Sequence, residues 1–286
     1  MYRNPKFMTS SNFNLTTKDH LILPVQNWLP TSAPLAVIGL IHGLGEHSGR
    51  YHHVANYLTQ AGYAVMGLNW RGHGTATGPR GHAPSYLAIM ADLDLFLIVM
   101  QQHYPCVPIF LYGHSLGGNL VINYALRYHP TIAGIIATAP ALRPAFQPAK
   151  WKLWLANLLY HLWPSFSFPA ELDLSALSHD SNIVQQYRQD PLIHGRLSAR
   201  LGLDILATGE WALQHANELT LPLLLMHGEA DRITSAEASS EFAHQAGRRC
   251  TLKLWEGLYH EIHNEPESEA ILVYLVNWLA TNFSNG

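Results

Sequence analysis

The sequence is poor in charge and in cysteine, and it has no long apolar run. Asp, Glu, Lys and Arg make up 13% of its 286 residues, against about a quarter in ordinary globular domains. That shortage leaves the surface to neutral polar groups or to apolar partners. Formal net charge is −3 and no basic cluster tracks along the chain, which argues against nucleic acid as a partner. The two cysteines, Cys106 and Cys250, form neither a CxxC pair nor a disulfide framework, so a reducing compartment is the simpler setting. The opening stretch MYRNPKFMTSSNFNL lacks the apolar segment of a leader. Runs such as Leu35–Ile41 fall far short of the roughly 20 residues that span a bilayer. The expectation is a cytoplasmic protein, peripheral to membranes if it meets them at all.

What the chain does have is a series of short, continuous apolar runs. They are Leu35–Ile41, Tyr63–Leu68, Ile109–Tyr112, Ile132–Thr138, Leu221–Met226 and Thr251–Trp255. Runs that do not alternate with polar residues suit strands buried on both faces of a parallel sheet. Helical periodicity over Tyr51–Ala61, Ser85–His103 and Asn119–Tyr128 separates several of them, the signature of a doubly wound α/β fold. Asn12–Thr16 and Leu21–Trp28 flank Thr17-Lys18-Asp19-His20 and read as an edge hairpin. Pro266–Phe283 reads as a closing helix. From Ala141 to about Leu206 the rhythm breaks into a Trp-, Leu- and Pro-rich stretch with no convincing strand. The reading is a helical insertion, with residues 1–140 and 207–286 as core and 141–206 as cap. Within it Trp151, Trp154, Leu155, Leu158, Leu159 and Leu162 share one helical face. That face packs on the core, or it is a lid that meets acyl chains or a lipid surface.

The chemistry centres on Gly113-His114-Ser115-Leu116-Gly117-Gly118, which follows an apolar run and precedes a helical pattern. G-x-S-x-G between strand and helix is a nucleophile elbow. Glycines two residues either side let the chain fold back sharply and expose Ser115. A serine hydroxyl is a weak nucleophile and needs a general base. The order in such folds is serine, acid, histidine. Leu221–Met226 leads into Asp231, with Glu229 as runner-up. Thr251–Trp255 leads into His260, with His263 as competitor. The backbone N–H groups of Leu44, in His42-Gly43-Leu44-Gly45, and of Leu116 are the candidate oxyanion donors.

Two other chemistries fit poorly. Gly43-x-Gly45-x-x-Ser48 has the wrong third residue for a dinucleotide site, and the second strand ends in Asn69 where an acid would hold a ribose. His42, His47, His52 and His53 have no metal-ligand spacing. No cofactor and no metal is expected.

The string His42-Gly43-Leu44-Gly45-Glu46-His47-Ser48-Gly49-Arg50-Tyr51 closely resembles a segment of the monoglyceride lipase and lysophospholipase family, the serine aminopeptidase S33-like α/β-hydrolases. Arg71-Gly72-His73-Gly74, Gly78-Pro79-Arg80-Gly81, the serine motif, Asp190-Pro191-Leu192-Ile193-His194 and the tail from Tyr259 to Glu267 are similar as well. The resemblance runs from about Asn27 to Ala280. It implies an α/β-hydrolase fold, a mostly parallel sheet flanked by helices, with a helical cap between strands six and seven. It implies Ser115, Asp231 and His260 as a triad, Leu44 and Leu116 as oxyanion donors, and an acyl-enzyme mechanism on carboxylic esters of single-chain lipids, monoacylglycerols or lysophospholipids. The partner is then a lipid-like ester, with peripheral membrane contact through the cap. Asn69 and Thr77 depart from the family's usual Asp and Ser, which alters how the loop beside the site is braced. The alternatives are a short-chain carboxylesterase or another activity of the same fold, and a non-catalytic binding module.

Overall fold

Every apolar run singled out above carries a strand. The computed structural model describes residues 12–170 and 172–283. Residues 1–11, most of the opening stretch MYRNPKFMTSSNFNL, lie outside the described residues. Strands β1 (Phe13–Thr16) and β2 (Ile22–Trp28) form the antiparallel hairpin, with Phe13 opposite Val25 and Thr16 opposite Ile22. Next come β3 (Val37–Ile41), α1 (His52–Gln60), β4 (Ala64–Leu68), α2 (Tyr86–His103), β5 (Ile109–His114), α3 (Leu116–Tyr128) and β6 (Gly134–Thr138). After an insertion the sheet resumes with β9 (Leu223–Gly228), α7 (Ala236–Ala246) and β10 (Cys250–Trp255), and α8 (Ser268–Phe283) closes the chain. The eight strands lie in the order β1-β2-β4-β3-β5-β6-β9-β10, parallel from β4 onward.

The sheet separates two cores. On β3, Val37 and Ile41 face one core while Ile38 and Leu40 face the other. On β5, Ile109 and Leu111 oppose Phe110 and Tyr112. Side chains alternate across a strand, so helices on both faces demand apolar residues at every position. Helices α2 and α3 cover one face, and α1 and α8 the other. The Ser85 hydroxyl caps α2 by accepting from the Ala88 N–H at 3.1 Å. Buried Asp92 of that helix takes Arg71 in a two-pronged ion pair (2.6 and 2.8 Å), and Asp19 of the hairpin turn takes the same guanidinium at 2.9 Å. Thus Arg71-Gly72-His73-Gly74 is pinned to the sheet edge.

The insertion between β6 and β9 contains α4 (Lys150–Leu162), β7 (Ser167–Pro169), α5 (Ser181–Gln189), β8 (Arg196–Ser198) and α6 (Ala199–Gln214). It is not purely helical, because β7 and β8 pair as a small antiparallel ribbon. Three-residue strands carry no legible periodicity. Helix α6 runs through residue 206 and buries Thr208, Gly209 and Leu213, with Asn123 Nδ2 of α3 donating to the Thr208 carbonyl at 3.2 Å. The apolar face of α4 does not pack on the core. The helix buries no residue, and Trp151, Trp154 and Leu162 are 64, 69 and 73% exposed. Among the described residues no helix is long and apolar enough to cross a membrane.

Phe110 is fully buried and meets the edge of Trp278 at 6.1 Å. Replacing it by alanine should cost about 3–5 kcal/mol, read as a lowered midpoint in urea denaturation.

Candidate active site

Strand β5 ends in a turn that its neighbours permit in one shape only. Ser115 stands at φ 54°, ψ −116°, in a region that side chains other than glycine rarely occupy. A Cβ on Gly113 would overlap the Gly117 carbonyl, and one on Gly117 would overlap the Ile41 carbonyl. The turn is held from both sides. The Ser115 N–H donates to the Thr138 carbonyl, and the Ala141 N–H donates to the Ser115 carbonyl, each at 2.9 Å. Ser115 therefore sits at the N-terminus of α3, where the helix dipole favours negative charge.

Asp231 follows β9 and His260 follows β10. His260 Nδ1 donates to Asp231 Oδ2 at 2.7 Å, and both side chains are buried. The Asp231 carboxylate is saturated with donors. Its Oδ1 accepts from the N–H groups of Ile233 (2.7 Å) and Thr234 (3.1 Å). Its Oδ2 also accepts from His227 Nε2 (3.0 Å) and the Thr234 hydroxyl (2.8 Å). Burial opposes ionisation of Asp231, but the charge and hydrogen bonds of His260 and His227 outweigh it and hold the carboxyl well below its usual range. Burial likewise works against a charged His260, yet Asp231 raises it above the ordinary imidazole value. With Nδ1 engaged, Nε2 is free to exchange a proton.

The loop after β3 approaches the same turn. A Cβ on Gly43 would lie 3.3 Å from that of Ser115. The Gly43 N–H donates to Glu46 Oε1 at 2.6 Å, and the Tyr51 hydroxyl donates to the same oxygen at 2.7 Å. Among the described residues the N–H groups of Leu44 and Leu116 have no protein acceptor. Arg50 bridges Glu46 (2.5 Å) and Glu261 (2.6 Å), tying this loop to the one that carries His260. Burial disfavours the Glu261 charge, but Arg50 holds its carboxyl down at about 2.

Ser115, His260, His114, Gly43 and Leu44 line one cavity of about 400 Å³. Leu172, Leu174, Leu177, Ile193 and Ile233 supply its apolar wall, while Asp190 and His194 stand on its rim. Backbone bonds hold the insertion to the site. The His260 N–H donates to the Ala176 carbonyl (3.2 Å), the Glu261 N–H to Leu177 (2.8 Å), and the His194 N–H to Gly45 (2.9 Å). His47 Nε2 donates to Asp190 Oδ2 at 2.8 Å.

The competing candidates lie elsewhere. Glu229 is exposed, and its side chain makes no bond to His260. His263 is buried, stacked on Tyr51 at 4.8 Å, and makes no hydrogen bond to Asp231. Asn69 accepts from the N–H and hydroxyl of Ser48, each at 2.8 Å, and donates to the Thr75 hydroxyl at 3.2 Å. An aspartate could accept those bonds but not donate the third. Thr77 accepts from the Ile22 N–H at 2.7 Å and so fastens its loop to β2. No role for His227 or for the Glu46–Arg50–Glu261 network is legible in the sequence. The one available signal for His227 was its place at a strand end four residues before Asp231.

The sequence matches the family model described as serine aminopeptidase, S33, over residues 32–267. It is 39% identical over 283 residues to an uncharacterised abhydrolase domain-containing protein of Dictyostelium discoideum, covering 97% of this chain and 30% of that protein. It is 34% identical over 258 residues to a monoacylglycerol lipase of Mycolicibacterium smegmatis, covering 89% of this chain and 91% of that protein. The chain thus spans a minor part of the first relative's length and most of the second's. Among solved structures, a monoacylglycerol lipase of Paleococcus ferrophilus is similar with a TM-score of 0.81 and 33% identity, covering 96% of this chain and 100% of the other.

The two neighbouring imidazoles should titrate apart. Burial, and then the adjacent His260, push His114 down to about 3. In a histidine-selective NMR titration His260 should take up its proton above pH 6.5, while His114 stays neutral through that range. His227→Leu removes a donor from Asp231 Oδ2, leaves more negative charge facing His260, and should move the His260 transition to still higher pH.

Proposed function

The chain belongs to the serine aminopeptidase S33 family of α/β-hydrolases, and from that premise we propose that it hydrolyses carboxylic esters of single-chain lipids through Ser115, His260 and Asp231. The observation that carries this reading is the Asp231–His260 bond, which opens on the cavity that holds the strained Ser115 turn. The Ser115 hydroxyl attacks the ester carbonyl, and its proton passes to His260 Nε2. Asp231 holds the imidazole in the required tautomer and stabilises its charged form. The N–H groups of Leu44 and Leu116 receive the oxyanion, each such donor contributing about 3 kcal/mol to the transition state. The carbon–oxygen bond to the alcohol breaks, and His260 returns the proton to the leaving oxygen. Water, deprotonated by His260, then attacks the acyl-enzyme and frees the fatty acid and Ser115.

The apolar wall from Leu172 to Ile193 suits an acyl chain rather than a peptide. In this reading residues 141–206 are the cap, and the bare face of α4 rests against the lipid surface that supplies substrate. Trp151 and Trp154 lie on that face, with Lys150 at the start of the helix.

Ser115→Ala should keep its circular dichroism spectrum, lose labelling by a fluorophosphonate probe, and drop about a thousandfold or more in monoacylglycerol turnover. Undiminished labelling would refute the nucleophile. In an ester series, kcat/KM should rise from butyrate to laurate; the reverse trend would mark a short-chain esterase. Trp151→Ser with Trp154→Ser should weaken sedimentation with phosphatidylglycerol vesicles about tenfold or more and leave turnover of a monomeric ester unchanged.

A further inference from the structure

Ser115 and Asp231 follow β5 and β9, which are paired on both sides, but His260 follows β10, the strand at the edge of the sheet. The loop that carries the imidazole therefore gets less support from the sheet than its two partners do. The rest comes from the insertion and from one buried carboxyl group. The N–H groups of His260 and Glu261 donate to the Ala176 and Leu177 carbonyls. The N–H of Tyr259 donates to Glu265 Oε1 at 2.7 Å. Three consecutive peptide groups centred on His260 are thus held from outside their own loop.

Glu265 stands just past the short turn Ile262–Asn264, and its side chain is fully buried. Its second set of partners lies on the insertion. Oε2 accepts from the His179 N–H at 2.8 Å, and the His179 Nδ1–H, facing the same group, donates to Oε1 at 3.0 Å. Both oxygens face donors, which a carboxylate satisfies and an amide cannot. Around this bond the two segments meet closely. The Ser178 hydroxyl donates to the Asn264 carbonyl at 2.8 Å, and the His179 ring stacks on that of Tyr259 at 3.7 Å. Ala176, Leu177 and Ser178 are buried in the contact. Glu265 closes this clasp, with one oxygen on the His260 loop and the other on the insertion.

The consequence is geometric. His260 must keep Nδ1 on Asp231 Oδ2 while presenting Nε2 to the serine. A misplacement of about 1 Å in such a group can cost on the order of a hundredfold in rate. We propose that Glu265 is a positioning residue for His260, and that through it residues 176–179 of the insertion form part of the scaffold of the base. This rests on the ester-hydrolase reading above, which makes His260 that base. Glu265 does not line the reaction cavity, so its loss acts on kcat and not on KM.

The test uses the full chain, 1-lauroylglycerol below its aggregation threshold, and the low-field proton resonance of His260 Nδ1–H on Asp231. Glu265→Gln keeps the volume but turns an NH2 toward one set of donors. Its kcat should fall about tenfold or more, with KM held within about a factor of two. Fluorophosphonate labelling should slow in step with kcat, and the Nδ1–H resonance should shift or broaden. His179→Ala removes a donor and the ring stack from the side of the clasp where the imidazole is 44% exposed, and should show the same signature at smaller size. If Glu265→Gln does not fold, His179→Ala decides by the same readouts. Unchanged kcat with an unmoved resonance overturns the proposal. So does a raised KM at constant kcat, which would mark a wall of the substrate cavity, and so does a fall in kcat with the resonance unmoved. A wild type that neither labels nor cleaves the ester overturns the hydrolase reading instead, and the resonance alone then decides whether Glu265 positions His260.

Discussion

The turn at Ser115 is the constraint on which the rest of the site depends. A non-glycine residue at φ 54° stores about 1–3 kcal/mol of backbone strain, and such a conformation persists only where its surroundings determine it fully. Here β5 lies between β3 and β6, α3 is buried along most of its length, and two backbone hydrogen bonds fix the Ser115 peptide. The strain places one hydroxyl above the sheet and frees the first N–H of α3. A relaxed turn would do neither. The β3 loop and the His260 loop gain their meaning from where this turn puts the serine.

Charged side chains hold the loops around the cavity and at the sheet edge. Arg50 engages two carboxylates, Asp231 takes five donors, and Arg71 joins Asp92 to Asp19. Buried charges of this kind add little net stability over well-packed apolar groups, while loss of one partner costs about 3–5 kcal/mol. What such pairs provide here is position. Arg50 fastens the loop after β3 to the loop of His260, and Glu46 takes up the Gly43 N–H. The same cavity also has aliphatic lining from Leu172, Leu174, Leu177, Ile193 and Ile233.

The insertion presents two surfaces with different physics. Its inner segments are tied to the core by backbone bonds at Ala176, Leu177 and His194, and by Ser198 N–H to the Gly81 carbonyl at 2.9 Å. Its outer helix, α4, packs only along one side, through Tyr160, which donates to Asp204 Oδ1 of α6 at 3.1 Å. Among the described residues Trp151 and Trp154 beyond that seam remain 64 and 69% exposed, and exposed apolar patches of this kind are uncommon on proteins without an apolar partner.

The order of strands and helices was legible in the sequence because continuous apolar runs and helical periodicities are local properties of the chain. So were Ser115, Asp231 and His260 as candidates, since each follows a recognisable strand, and the glycines around Ser115 mark a turn that tolerates nothing larger. The β7–β8 ribbon was not legible, because three-residue strands exist only by virtue of their partner. Nor was the exposure of the α4 face, because an amphipathic helix has the same pattern whether its apolar side is covered or bare. His227 beneath Asp231, Arg50 between two glutamates, and Glu265 between the His260 loop and the insertion were decided by folding alone. Hydrogen bonds and ion pairs depend on distances between residues far apart in sequence, and those distances are fixed only when the sheet, the loops and the insertion have packed.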